Sequence, residues 1–167
     1  MKSIRLAAAL CLLLFTTTLL AQADGHKTFD QLKSLVGNWE GKTAMGDTAH
    51  VSFRLTAGDT ALMSEIQNEM GGRSEDMITM IHLDKGRLML THYCPSGNQP
   101  RMQAKPSADS KSITFDFVDA TNLDSPQTGH MHSVTFTFTD ATHHTEEWHY
   151  LDHGKETVMR FDLQKKS

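Results

Sequence analysis

The chain has 167 residues, 38% hydrophobic and 22% charged, with only 4 Pro and 11 Gly. That balance excludes a disordered, collagen-like or multi-span membrane protein. The formal charge is −4 and the only basic run is Lys165–Lys166 near the end, so no nucleic-acid partner is expected.

Met1 to Ala23 has the layout of a secretory signal peptide. Lys2 and Arg5 make the positive start, Leu6 to Leu20 the apolar stretch, and Ala21-Gln22-Ala23 the small residues of a cleavage site. The apolar stretch is about 15 residues, short of the ~20 that a spanning helix needs. The expectation is a secreted, periplasmic protein with no stable membrane anchor after cleavage and a single domain over residues 24–167. Without Lys2 and Arg5, 14 basic residues face 20 acidic ones, a charge of −6. Cleavage also removes Cys11 and leaves Cys94 with no partner for an internal disulfide. Packing must then hold the fold, and a free cysteine is most often a small buried hydrophobe.

Thr28-Phe29-Asp30-Gln31 has the spacing of a helix capping box. Phe29, Leu32, Leu35 and Val36 follow at helical spacing, so one short amphipathic helix is predicted, ended by Gly37. From there the period is two. Strands are predicted over Trp39 to Met45, Ala49 to Thr56, Ala61 to Met70, Asp76 to Leu83 and Arg87 to Cys94. A looser stretch with three prolines holds a short strand near Arg101 to Ala104. Ser112 to Val118, His130 to Thr139, His144 to Leu151 and Glu156 to Leu163 complete the series. Gly46-Asp47, Gly71-Gly72, Asp84-Lys85-Gly86 and Asp152-His153-Gly154-Lys155 supply turns. No second helical pattern exists to carry parallel crossovers. The prediction is all-β: an antiparallel up-and-down barrel of about nine or ten strands with one short N-terminal helix, closure being favoured over a sandwich because it removes exposed edges.

Leu35-Val36-Gly37-Asn38-Trp39-Glu40-Gly41 resembles the opening of lipocalin-like (calycin) barrels, in which a short helix runs into Gly-x-Trp at the first strand. It also resembles the Gly-x-Trp-x-Gly-x-Gly opening of nitrobindin-like heme-binding barrels, with Thr43 in place of the third glycine. Together with the leader and the late Glu147-Trp148 to Gly154-Lys155 segment, the layout is similar to secreted bacterial lipocalin-like proteins. The resemblance makes Gly37, Trp39 and Arg160 structural residues. It implies that Trp39 plugs the closed end and that Arg160, from the last strand, lies across it.

Alternation then selects candidate site residues. His130 and His132 share a face with Val134, Phe136 and Phe138 and are expected to point into the barrel. Ile113, Phe115 and Phe117 form one face of their strand. Leu88, Leu90, His92 and Cys94 form another, and Glu146 shares parity with His144, Trp148 and Tyr150. His-x-His is ligand geometry for zinc or copper, with His92, His144 or Glu146 available as a third ligand. An inward histidine also suits heme, and the nitrobindin resemblance implies a ligand from a late strand, where His144 and His149 lie. Nine methionines follow residue 23; they suit an adaptable apolar cavity, ordinary core packing, or a Met/His copper site.

No nucleophile elbow, phosphate loop or dinucleotide fingerprint is present, and no catalytic residue is assigned. The leading expectation is a barrel that binds a small apolar or amphipathic molecule. Ile113, Phe115, Phe117, Val134, Phe136, Phe138 and Trp148 would line or floor the cavity, with polar contacts from His92, His130, His132 and Tyr150. The alternatives are a zinc- or heme-dependent barrel using His130 and His132, with or without catalysis, and a solid barrel acting through its surface.

Overall fold

The computed structural model describes residues 25–43, 46–70, 73–107 and 110–167; the expected leader and the Gly71-Gly72 break lie outside them. Ten strands follow one helix over residues 25–33. They are β1 (Gly37–Thr43), β2 (Thr48–Thr56), β3 (Ala61–Met70), β4 (Arg73–Asp84), β5 (Arg87–Tyr93), β6 (Gln99–Pro106), β7 (Ser112–Thr121), β8 (His130–Phe138), β9 (His143–Asp152) and β10 (Lys155–Lys165). Each pairs antiparallel with its neighbours in sequence, and β1 pairs with β10, so the sheet closes into an up-and-down barrel.

Alternation writes the core. Ala49, Val51 and Phe53 of β2, Leu88 and Leu90 of β5, Ile113 and Phe115 of β7, and Phe161 and Leu163 of β10 are all buried, while their neighbours in sequence are half-buried or exposed. These apolar faces share one core cluster with the helix residues Phe29 and Leu32 and with Leu35 of the turn that follows. The helix thus closes one end of the barrel. Gly25 lies against the Gly86 carbonyl of the β4–β5 turn, and Gln31 Nε2 donates to Ser110 O at 2.7 Å. Thr28 sits inside this helix rather than capping it, because the helical turns already include Gly25.

The Gly-Asn-Trp-Glu-Gly segment explains the closure. Gly37 leaves the helix with φ +132°, a left-handed-side conformation open mainly to glycine. Trp39 is buried and its indole Nε1 donates to Leu35 O at 2.7 Å, which ties the first strand to the end of the helix. Gly41 pairs with Leu163 across the seam, and a Cβ there would stand 1.9 Å from the Asp162 carbonyl oxygen. The backbones of β1 and β10 approach so closely that only hydrogen fits.

The cation over Trp39 is not Arg160. Lys165 Nζ lies 5.2 Å from the ring centroid, since Lys165 is the residue in register with Trp39. Arg160 falls on the outward parity of β10 and pairs with Asp162 at 2.9 Å and Glu147 at 3.6 Å. Both carboxylates hold its pKa above the ordinary guanidinium value.

Gly41→Ala is expected to lower unfolding stability by at least about 2 kcal/mol, as steric overpacking does. Gly58 has φ +64°, and a Cβ added there would meet nothing within 4 Å, so the same change should cost only about 1 kcal/mol. Urea unfolding of the two variants beside the wild type checks the contrast.

Candidate functional site

Strand β9 climbs from the closed end of the barrel to the open one, and its inward side chains form a column. His144 lies lowest, edge-on to Trp39 at 4.2 Å and to Phe53 at 5.8 Å. Glu146 follows, with no exposed surface. Its Oε1 is 3.2 Å from His144 Nε2, and its Oε2 accepts from Trp148 Nε1 at 2.9 Å. A buried carboxylate is tolerated only with such partners. His144 Nδ1 has no hydrogen-bond partner. Trp148 comes next, then Tyr150 at the mouth.

Strand β5 rises beside this column and brings His92 against Trp148, ring centroids 4.6 Å apart. His92 is completely buried. Its Nδ1 and the Thr79 hydroxyl oxygen are 2.9 Å apart, while Nε2 has no partner. Register sets Ser64, Thr79 and His92 side by side across β3, β4 and β5, a polar row inside an apolar wall. Burial drives the His92 pKa down to about 4, because an imidazolium there would lose its hydration. His92 is therefore neutral at pH 7.

Above these residues lie two distinct spaces. A narrow hollow, without room for a water molecule, is lined by Ile66, Met77, His92, Met131, Trp148, Met159 and Phe161. Over it a pocket of about 320 Å³ opens at the barrel mouth, lined by Glu75, Met77, Cys94, Pro95, Ser96, Met131, Tyr150, Thr157 and Met159. Met77, Met131 and Met159 belong to both, so three thioethers form the partition between hollow and mouth. A larger concavity, about 440 Å³, lies around Asn38, His50, Ser52, Glu65, Gln67 and Lys166. Two of its lining side chains, His50 and Lys166, lie 3.6 and 3.3 Å from the Glu40 carboxylate.

The candidates from alternation separate into three groups. Ile113, Phe115, Val134 and Phe136 are buried at 0–1% exposure, with Phe115 and Phe136 rings 6.0 Å apart and Phe136 also edge-on to Trp148. They fill the lower barrel, with half-buried Phe138 packed beside them. His92 and Trp148 line the hollow, and Tyr150 lines the mouth. Phe117 stands apart, half-buried between His130 and His132, at 4.8 and 5.7 Å.

The paired inward imidazoles are corrected. A register shift between Met131 and Ser133 inserts an extra residue in β8, and such a bulge reverses the facing of the residues before it. Met131 takes the interior position at 4% exposure, while His132 is exposed. His130 stays buried, its Nδ1 donating to Thr128 O at 2.7 Å. Among the described residues no group of three or more His, Cys, Asp and Glu is placed to hold a metal, so His130 and His132 lack the further ligands zinc needs. A histidine-ligated heme does not fit the mouth either. None of the pocket's lining residues is a histidine. His144 lies under Trp39, and His149 is engaged with Glu147 and Glu156.

Two features escaped the alternation argument. The methionine partition joins β4, β8 and β10, and one of its members depends on the bulge. Asn68 is buried with both amide atoms unpartnered, cross-strand from Glu75 of the mouth. Its shared parity with Leu62, Ser64 and Ile66 was the available signal.

Among solved structures, the chain is similar to the crystal structure of Rv2717c from M. tuberculosis. The TM-score is 0.62 at 14% identity, over 84% of this chain and 98% of that one. The likeness is one of fold alone. No family model and no curated protein matches the chain.

Two outcomes test the site's electrostatics. His92 titrates near 6.5 in the unfolded chain and near 4 in the native one. Below pH 6.5 the unfolded chain binds a proton that the native barrel refuses, so stability falls as pH drops towards 4 and this contribution then levels off. The difference amounts to about 3 kcal/mol. Urea unfolding between pH 7.5 and 4 should show this extra slope in the wild type and not in His92→Leu. Glu146→Ala strands Trp148 Nε1 and His144 Nε2 in the interior and should cost about 3–5 kcal/mol, read from the same unfolding curves at pH 7.5.

Proposed function

We propose that the protein binds a small amphipathic molecule at the open end of the barrel, its apolar part resting on Met77, Met131 and Met159 and its polar part among Tyr150, Ser96, Thr157 and Glu75. The reading departs from a ligand held deep inside, because the phenylalanine layer leaves that region packed. The observation that carries it is the mouth pocket itself: about 320 Å³, with a floor of three thioethers and a polar rim. Small-molecule sites begin near 300 Å³ and combine an apolar lining with a few placed polar groups. Methionine suits such a floor because its unbranched chain repacks around different shapes. Residues 1–23 carry the accompanying proposal that this binding happens outside the cytoplasm.

N-phenylnaphthylamine, whose fluorescence rises on entering an apolar site, provides the test. Saturable one-to-one binding is expected. Met131→Gln should weaken it about tenfold, the loss of roughly 1.4 kcal/mol of apolar contact. Ile113→Val, in the packed interior, should leave affinity within about twofold. Equal affinity in the wild type and Met131→Gln would overturn the mouth as the binding site.

A further inference from the structure

We propose that the hollow beneath the methionine partition is a site for a soft monovalent metal ion, Cu(I) or its analogue Ag(I), with His92 Nε2 and the thioethers of Met77, Met131 and Met159 as ligands. This goes beyond the binding of an amphiphile, which occupies the other side of the same three side chains.

Four observations meet here. The first is the donor set. His92 and three methionines line a single space, and soft sulfur donors select Cu(I) over harder divalent ions. The second is the free nitrogen. His92 is fully buried, its Nδ1 is taken up by Thr79, and Nε2 has no partner. With the ring proton on Nδ1 directed at the Thr79 oxygen, Nε2 carries a bare lone pair, and the hydroxyl acts as the outer partner that fixes tautomer and ring orientation in metal sites.

The third observation is size. The hollow has no room for a water molecule, so water cannot be the partner that Nε2 lacks. A metal ion can. Zinc, for comparison, sits about 2.3 Å from sulfur and about 2.0 Å from imidazole nitrogen, well inside the approach distance of water, and flexible methionine chains can close on it. The fourth is charge. Trp148, whose ring lines the hollow beside His92, donates its indole N–H to Glu146. One carboxylate therefore lies behind the Trp148 side of the wall.

Silver serves as the air-stable probe. The protein carrying ¹³C-methyl methionine is titrated with Ag(I), and the wild type is compared with Cys94→Ser, because the thiol at the mouth would itself take silver. One equivalent should shift the methyl resonances of Met77, Met131 and Met159 and the His92 Nε2 resonance, in both proteins. Zn(II) should shift none of them. His92→Leu in the Cys94→Ser background should weaken silver binding by at least the ~10–100-fold that losing even an outer partner costs. N-phenylnaphthylamine binding should stay within about twofold, showing the mouth intact. If His92→Leu fails to fold, Met131→Leu/Met159→Leu carries the test, since leucine keeps the volume and the apolar floor and removes the sulfur. Silver binding that disappears in Cys94→Ser overturns the proposal, as does binding that survives the loss of His92 or of the two thioethers. A protein that binds silver in this way and not the naphthylamine would retain the metal site while losing the amphiphile reading.

Discussion

Closure of β1 onto β10 is the constraint on which everything else rests. An open ten-strand meander would present two unpaired edges, and its apolar face would have nothing to enclose. The seam succeeds because Gly41 lets the first strand reach the Asp162 carbonyl, and because Trp39 is clamped from several directions: Leu35 O holds its N–H, Lys165 lies over its ring, and His144 stands edge-on to it. Helix, first strand, last strand and the foot of β9 thus meet at one indole. The position of Glu146 and Trp148 follows from that contact, since both stand on the strand whose lowest inward residue touches Trp39.

The barrel is graded along its axis. At the helix end the packing is aromatic and dry, and polar groups enter only as the His144–Glu146–Trp148 column. In the middle, Ser64, Thr79 and His92 interrupt the wall, and two of the three leave a polar atom without a partner. Such buried orphans cost stability. At the mouth the lining turns to thioethers, a thiol and a phenol. The outer wall contributes little by comparison. Its ion pairs, Arg101 with Asp119 and Lys105 with Asp116, are exposed, where water and salt screen them.

Much of this was legible in the residues. Every strand was visible from alternation, including the short one in the proline-rich stretch, which extends to Gln99–Pro106. The shared parity of His144, Glu146 and Trp148 could be read directly, whereas the facing of His92 stayed open because the Arg87, Met89, Thr91 and Tyr93 face of its strand is mixed as well. What failed had local physical causes. The facing of His132 failed because parity assumes an unbroken ladder, and β8 is broken between Met131 and Ser133. The cation over Trp39 was misplaced because register across a closing seam is not written in either strand alone. Whether the phenylalanines enclose space or fill it was beyond reach, since hollow and packed barrels share one pattern. The methionine partition was hidden for a related reason: it is assembled from three strands that only closure brings together.

The irregularity in β8 has a wider meaning for how this molecule can change. One surplus residue uncouples the rim from the wall: below it, inside and outside are dictated by strict alternation, whereas above it the same chain presents His130 and His132 on its own terms. The lower barrel therefore acts as a fixed chassis, and in the upper turn of β8 His132 is exposed while His130 and Met131 are buried. Substitution at His132 can reshape the opening, whereas its neighbours Met131 and His130 stay tied to the interior.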